Sequence, residues 1–490
     1  MASTAVEGQT PNPEPSQPEE RAEHNLPPRS YADAVSNGPQ ENDQIEGRTG
    51  VGSDAKEHAA VNGSAQPPPR TVNGQIRKQL DEEKVVYEEH VNHAGEILTS
   101  IKPSARYDDS LKHNGKTAPR EKKQNRPPKR QDELASGRRA GAGWETSAIR
   151  WAPLNVPLRR RLQTLVVLWH TTTIPLFLSI FFLLCAIPLT WPLLIPYLIY
   201  TLVISEEATN GTLSRRSQWM RGSKFWSLFA SYFPARLHRT IELEPTRKYI
   251  FGYHPHGIIS HGAFAAFATE ALGFSDLYPG ITNTLLTLDT NFRVPFYRDY
   301  ALAMGLASVS RESIENILCK GGLNGEGMGR AVTIVIGGAR ESLGAKPHSL
   351  RLVLKSRKGF IKLAIRTGAD LVPVLAFGEN ELYDVIDSVQ HPWIHKSQML
   401  IKKLMGFTVP LFHARGIFNY DVGLLPYRRA VNVVVGRPIR VVQQGTKDNN
   451  VDDKYLDQVH KEYVAELVRL WDGYKDLFAQ DRHGELEIVD

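Results

Sequence analysis

The chain has 490 residues, 41% hydrophobic and 23% charged, with a formal net charge of +6. With a mean hydropathy of −0.32, these averages describe a soluble protein of about two to four domains, and so small a charge gives no reason to expect a nucleic-acid partner. Only two cysteines are present, Cys185 and Cys319, which excludes a disulfide scaffold and a cysteine-based zinc site.

The averages hide an uneven chain. Residues 1–100 carry 17 acidic and 8 basic side chains, whereas residues 101–161 carry 6 acidic and 16 basic. Proline clusters at 67–69 and 127–128 interrupt both halves, and large apolar residues are few. Such a stretch cannot bury enough apolar surface to offset its conformational entropy, so residues 1–150 are expected to form a disordered tail, acidic then basic. Within it, Ile76 to Ile101 scatters Val, Tyr, Leu and Ile among charges with no clear period, allowing at most a local helix. No basic-then-apolar run follows Met1, so no signal peptide is expected.

Residues 151–161 end in Arg159-Arg160-Arg161, against a run of 44 positions, 162–205, that contains no Asp, Glu, Lys or Arg. A helix crosses a ~30 Å hydrocarbon core with about 20 apolar residues, so this run suits two crossings, Leu162 to Leu184 and Ile187 to Ile204. Pro188, Pro192 and Pro196 sit around and after the reversal. Arginines before the run, and Arg215, Arg216 and Arg221 after it, place both ends on the cytosolic side of a hairpin. A re-entrant loop and a buried pair of core helices are the alternatives. Residues 206–239 read as an interfacial linker, because Phe225, Trp226, Leu228, Phe229, Tyr232 and Phe233 beside Lys224 suit the headgroup level. Trp393 to Phe407 mixes apolar residues with Lys396, Lys402 and Lys403, and suits a membrane surface or an ordinary amphipathic helix equally.

Residues 240–490 read as one α/β domain, a mostly parallel sheet covered by helices. Expected strands are Tyr249 to Tyr253, Leu285 to Leu288, Val332 to Ile336, Leu371 to Phe377 and Val431 to Val435. Ala263 to Leu272, Arg311 to Leu318, Phe360 to Arg366 and Lys454 to Phe478 are expected helices. The glycine-rich loop Gly321 to Gly329 lacks the Gly-Lys-Ser/Thr ending of a nucleotide-binding loop. No Gly-x-Ser-x-Gly elbow occurs, which argues against a serine hydrolase.

The first of these strands runs into His254-Pro255-His256-Gly257. Ligands of open α/β sheets bind at the carboxyl ends of strands, and a neutral imidazole there can take a proton from an alcohol. Gly257 would let a substrate approach the backbone. The bland reading is a histidine-lined turn that only forms hydrogen bonds. His261 follows closely, but nothing supplies an acidic ligand at matching spacing, so no metal is expected.

With Gly262-Ala263-Phe264 and Ala268-Thr269-Glu270 downstream, this segment resembles the type-2 diacylglycerol acyltransferase family. The resemblance continues in order through Pro295-Phe296-Tyr297-Arg298-Asp299, through 336–343 (Ile-Gly-Gly-Ala-Arg-Glu-Ser-Leu), through 357–364 with 368–374 and 377–380, and through 415–439. It covers about residues 150–490, the apolar run included. It implies a glycerolipid-acyltransferase-like fold in a multi-pass membrane protein of the endoplasmic reticulum, with lipid droplets as a second location. It also implies transfer of a fatty acyl group from acyl-CoA to the free hydroxyl of 1,2-diacylglycerol, with acyl-CoA as co-substrate and no cofactor. The expected partners are acyl-CoA, diacylglycerol, the lipid bilayer and a second copy of the chain. Monoacylglycerol or a long-chain alcohol as acceptor, a non-catalytic lipid-binding protein and a metal-dependent hydrolase are the competing readings.

The wider glycerolipid acyltransferases pair a histidine with an aspartate five positions on. Here those positions hold Ile259 and His261, so an acidic partner must come from elsewhere. Glu341, after the Gly337-Gly338 turn, is the first choice and Glu270 the second. His254 and His256 are not separable from sequence; the reading favours His256 as base and His254 as support or oxyanion donor. Main-chain N–H groups near Gly257 or Gly337-Gly338 are candidates to meet the oxyanion. Arg340, Lys355, Arg357 and Lys358 form a basic cluster suited to the phosphates of CoA, or a solvated loop. Cysteine catalysis is not expected, since Cys185 lies in the apolar run and Cys319 follows a helix with no adjacent base.

Overall fold

In a computed structural model of the chain, the described residues are 87–92, 95–101, 149, 151–153, 156–385, 393, 396, 400, 411–444 and 451–490. Most of the tail and of the amphipathic stretch 393–407 lies outside them.

The apolar run begins as α1 (Leu158–Cys185), 28 residues long and about 42 Å at 1.5 Å per residue. Its first half is docked on the protein. Gln163, Val166, Val167 and Thr173 are buried, and Arg428 donates from Nη1 to Gln163 Oε1 (2.6 Å) and from Nη2 to the Arg160 carbonyl (3.1 Å). Farther along, Phe182 and Leu183 stand in the open. Among the described helices, α1 alone is long and apolar enough to cross a membrane. The second half of the run, Pro188–Ile204, is a shorter apolar helix in three pieces: a 3₁₀ turn, α2 (Trp191–Ile199) and a final π turn. Its far end is tied to the domain, where Tyr197 Oη donates to Asp299 (2.6 Å) and Arg298 donates to Ser205 Oγ (2.6 Å).

The aromatic segment expected at an interface forms α3 (Lys224–Tyr232), and most of it is buried against α1 and the sheet. Its aromatic rings serve as core here.

Among the described residues there are thirteen strands: β1 (Tyr87–Val91), β2 (Ile97–Ile101), β3 (Arg236–Arg239), β4 (Tyr249–His254), β5 (Thr282–Thr287), β6 (Ala307–Ser308), β7 (Arg330–Val335), β8 (Arg351–Val353), β9 (Asp370–Phe377), β10 (Asp384–Val385), β11 (Phe412–His413), β12 (Asn432–Val435) and β13 (Glu487–Val489). Nine form one sheet in the order β1-β2-β3-β12-β9-β4-β7-β5-β6. From β9 to β6 every pairing is parallel. The other half is mixed, since β12 runs antiparallel to β9 and β2 antiparallel to both β1 and β3. The expectation of a mostly parallel sheet therefore holds for the half that carries β4. Where strand and helix alternate, each crossover returns the chain to the same rim and parallel pairing results.

The hairpin β1–β2 comes from the stretch read as tail. Charges masked its strand pattern, because they are satisfied by distant partners: Arg236 donates to Glu88 (3.1 Å), while Glu96 accepts from Arg437 (2.7 Å), Arg469 (2.5 Å) and Tyr474 (2.9 Å). Leu98 and Ile101 fill the core beneath.

Three helices cover one face of the parallel half: α4 (Arg311–Cys319), α6 (Gly359–Thr367) and α7 (Asp453–Phe478), while the short α5 (Gly338–Gly344) caps the end of β7. In α7, Leu456, Val459, Tyr463, Leu467, Leu470 and Tyr474 recur at three- and four-residue spacing and are all buried, as an amphipathic helix requires. The opposite face is packed by α1, α3 and the turns after β4.

Candidate active site

β4 is buried along its whole length and ends at His254 between β9 and β7. β4 and β7 end within one residue of each other, with Tyr253 opposite Val335, while β9, whose Val374 also lies opposite Tyr253, runs on to Phe377. Whatever follows them meets at one rim.

His254 is fully buried. Its Nε2 lies 3.0 Å from Tyr463 Oη, which spends its own proton on the Gly252 carbonyl (3.1 Å). Tyr463 must therefore accept, which puts the His254 proton on Nε2 and leaves Nδ1 bare, with no partner among the described residues. Burial pushes its pKa down to about 3, so the ring stays neutral.

His256 is half-buried on the rim. Its Nδ1 lies 2.8 Å from Ser342 Oγ and 3.2 Å from the Gly257 carbonyl. A carbonyl only accepts, so Nδ1 carries the proton and Nε2 holds the free lone pair. The tautomer is assigned by that argument. Burial lowers its pKa below the usual 6.5, opposed by the hydrogen bond to Gly257.

Glu341 reaches the motif but not the imidazole. Its Oε1 accepts from the His256 main-chain N–H (2.5 Å) and its Oε2 from that of Val353 on β8 (2.8 Å). Burial pushes its pKa up to about 7 against those two N–H groups. Where sequence suggests a carboxylate orienting the ring, the group on the ring is Ser342, the neighbouring residue. Its only signal in the sequence was adjacency to Glu341.

Glu270 is not brought to the site. The helix expected to carry it stops after a π turn at Ala268, and the carboxylate instead pairs with the buried guanidinium of Arg221 (3.1 Å). His261 is buried, with Nε2 2.8 Å from Tyr383 Oη. Among the described residues no three ligating side chains converge as a metal site would need.

A second carboxylate went unnoticed in the sequence. Glu379, one residue past β9 and a glycine, is fully buried, and its Oε2 accepts from Tyr253 Oη (2.8 Å) and the Gly262 N–H (2.9 Å). Burial raises its pKa to about 7. Gly257 has φ +59°, and a Cβ there would lie 2.7 Å from Glu379 Cγ, so only glycine fits.

Gly337 and Gly338 turn out of β7 at φ +99° and +64°. The space beside Gly338 is open except for Arg357 Nη2, which a Cβ would meet at 3.9 Å. Arg357 donates to the Gly337 carbonyl (3.3 Å), so it reaches the loop. Lys358 pairs with Asp457 on α7 (2.6 Å), while Arg340 and Lys355 extend into solvent.

The geometry describes a rim with one available imidazole lone pair, glycine N–H groups that make no hydrogen bond to another described residue, and a basic loop beside them. Residues 181–489 match the family described as diacylglycerol acyltransferase. A diacylglycerol O-acyltransferase 2A of Umbelopsis ramanniana is 50% identical over 342 residues, covering 70% of this chain and 94% of that protein. A diacylglycerol O-acyltransferase 1 of Schizosaccharomyces pombe is 44% identical over 327 residues (67% and 91%), and a 2-acylglycerol O-acyltransferase 1 of Bos taurus is 41% identical over 330 residues (67% and 95%). No solved structure matches the chain.

Proposed function

The chain belongs to the diacylglycerol acyltransferase family, and from that premise we propose that it acts as an acyl-CoA:diacylglycerol O-acyltransferase with His256 as its general base. It moves a fatty acyl group from acyl-CoA to the free hydroxyl of 1,2-diacylglycerol, giving triacylglycerol and CoA. The observation that carries the assignment of the base is the hydrogen bonding at His256 Nδ1, which leaves Nε2 free at the rim.

Nε2 takes the hydroxyl proton as the acceptor oxygen attacks the thioester carbonyl. The C–S bond then breaks, and the imidazolium returns the proton to the departing thiolate. Ser342 Oγ and the Gly257 carbonyl hold Nδ1–H throughout and favour the imidazolium while it exists. Thiolate is a good leaving group, so no acyl-enzyme is needed. The N–H groups of Gly257, Gly337 and Gly338 make no hydrogen bond to another described residue and are suited to the developing oxyanion. Arg340, Lys355 and Arg357 hold the CoA phosphates, with Lys358 contributing once released from Asp457. His254 supports the end of the strand. No cofactor beyond acyl-CoA enters the scheme.

The domain is read as a glycerolipid-acyltransferase fold anchored in the endoplasmic reticulum. α1 and Pro188–Ile204 form a hairpin with both ends cytosolic, and the lipid droplet surface is a second location. Support comes from the anchoring of both ends of the apolar run to the same domain, through Arg428 at the start and Asp299 and Arg298 at the finish. Exposed Leu189, Leu193 and Val203 would be unfavourable in water and suit a lipid surround. The bilayer is also where diacylglycerol dissolves.

A second reading, acylation of 2-monoacylglycerol, is favoured by the bovine relative's name. Membranes holding the full chain, incubated with labelled acyl-CoA and diacylglycerol, 2-monoacylglycerol or a long-chain alcohol, separate the acceptors. Triacylglycerol as main product supports the first reading, and diacylglycerol or wax ester as main product overturns it.

A further inference from the structure

We propose that Glu379 is a positioning residue for acyl transfer, gripping the loop that presents His256 from the side opposite Glu341. The proposal rests on His256 being the base. β7 and β9 flank β4; β7 ends within one residue of it and β9 two residues beyond it. Each then turns through a glycine of positive φ, Gly337 at +99° and Gly378 at +91°. Each delivers a buried glutamate over the end of β4.

The two carboxylates take different parts of the same loop. Glu341 accepts the His256 N–H. Glu379 closes the loop at its ends, because a single oxygen accepts from Tyr253, before the histidines, and from Gly262, after them. Between those points Gly257 lies against Glu379 Cγ with no room for a side chain. The Gly257 carbonyl is an acceptor for His256 Nδ1–H. Glu379 therefore fixes the peptide that helps fix the tautomer of the base, and acts on the reaction through His256.

What the loop needs from Glu379 is an accepting oxygen of the right reach. Its burial raises the acid to about 7, and either protonation state offers that oxygen. Glutamine keeps it. Leucine keeps the volume and leaves the Gly262 N–H and the Tyr253 hydroxyl unpaired in the interior.

The test is steady-state kinetics of the full chain in membranes with labelled acyl-CoA and diacylglycerol. Glu379→Gln should retain kcat within about threefold, while Glu379→Leu should lower kcat about tenfold or more with the KM for acyl-CoA within about twofold. Tyr253→Phe, which removes one hydroxyl, should lower kcat about threefold with KM unchanged. If the leucine variant does not accumulate, Tyr253→Phe decides. Unchanged kcat in Tyr253→Phe and Glu379→Leu overturns the proposal. So does a glutamine variant as damaged as the leucine one, or a rise in KM alone. His256→Ala assayed alongside separates the two readings: normal turnover there removes the base assignment, whereas an inactive His256→Ala beside a fully active Glu379→Leu removes only the positioning role.

Discussion

His254 ends β4 with its ring sealed against Tyr463, whereas His256, two residues on, stands half-buried beside Ser342. Both rings carry one proton and one bare nitrogen. In His254 the bare Nδ1 is buried with no partner among the described residues; in His256 the bare Nε2 is at the rim. The same side chain is a strut in one place and a base in the other, and the difference is set by where the strand stops. Four substitutions and one condition bear on that contrast.

The largest effect is expected at His256 itself. His256→Ala should lower kcat by about 10²–10⁴-fold, the usual worth of a positioned general base. His254→Gln should change kcat by less than about tenfold and register mainly as lower thermal stability. Radiolabelled triacylglycerol formation, normalised to membrane-inserted protein, checks both. Equal losses at the two histidines would break the contrast.

Ser342→Ala comes next. Removing one hydrogen bond to a ring that becomes charged costs about 1.5–3 kcal/mol, so kcat should fall about tenfold or somewhat more with KM unchanged. A variant that raised KM alone would place Ser342 on the substrate instead of the ring.

Sequence legibility followed the same boundary between strand and rim. The apolar Val and Ile runs announced β4, β7, β9 and β12, and the regular spacing in 454–478 announced α7. Glu341 was legible because Gly337-Gly338 marked the end of a strand. Glu379 was not, although it too follows a strand and a glycine, because only the pairing of β4 with β9 brings residue 379 to residue 257. Glu270 was misread for a local reason: its helix ends early, and Arg221, far back in the chain, claims the carboxylate. The β1–β2 hairpin was missed because its charges find partners up to 378 positions away.

A smaller effect is expected from pH. His256 needs its neutral form, and burial lowers its pKa, so the acid limb of kcat/KM should have its midpoint below 6.5. The sign at His254 concerns stability. Its folded pKa of about 3 lies below the unfolded 6.5, so the unfolded chain binds the extra proton and stability is lost as pH falls below 6.5. Glu341 and Glu379, raised to about 7, act in the opposite sense: stability is lost as pH rises from 4.5 through 7. Comparing wild type with His254→Gln cancels those contributions. The variant's melting temperature should fall less steeply between pH 6.5 and 5, with the acid limb of activity unmoved. A shifted acid limb would mean that His254 titrates in the reaction.

Tyr463→Phe should have the smallest catalytic effect and sharpen the contrast most. It leaves the His254 N–H and the Gly252 carbonyl without their shared partner, 3.0 and 3.1 Å away in the native protein. The His254 N–H, left unpaired in a sealed interior, costs about 1–3 kcal/mol in stability, while the Gly252 carbonyl keeps its place in the pairing of β4 with β9. None of that cost reaches His256, whose ring is held at Nδ1 by Ser342 of α5 and the Gly257 carbonyl and not from α7. The expected result is a lower melting temperature in detergent with kcat within about twofold of wild type. A large fall in kcat at unchanged melting temperature would show that His254 and His256 act as one unit, and that the strut and the base are not separable.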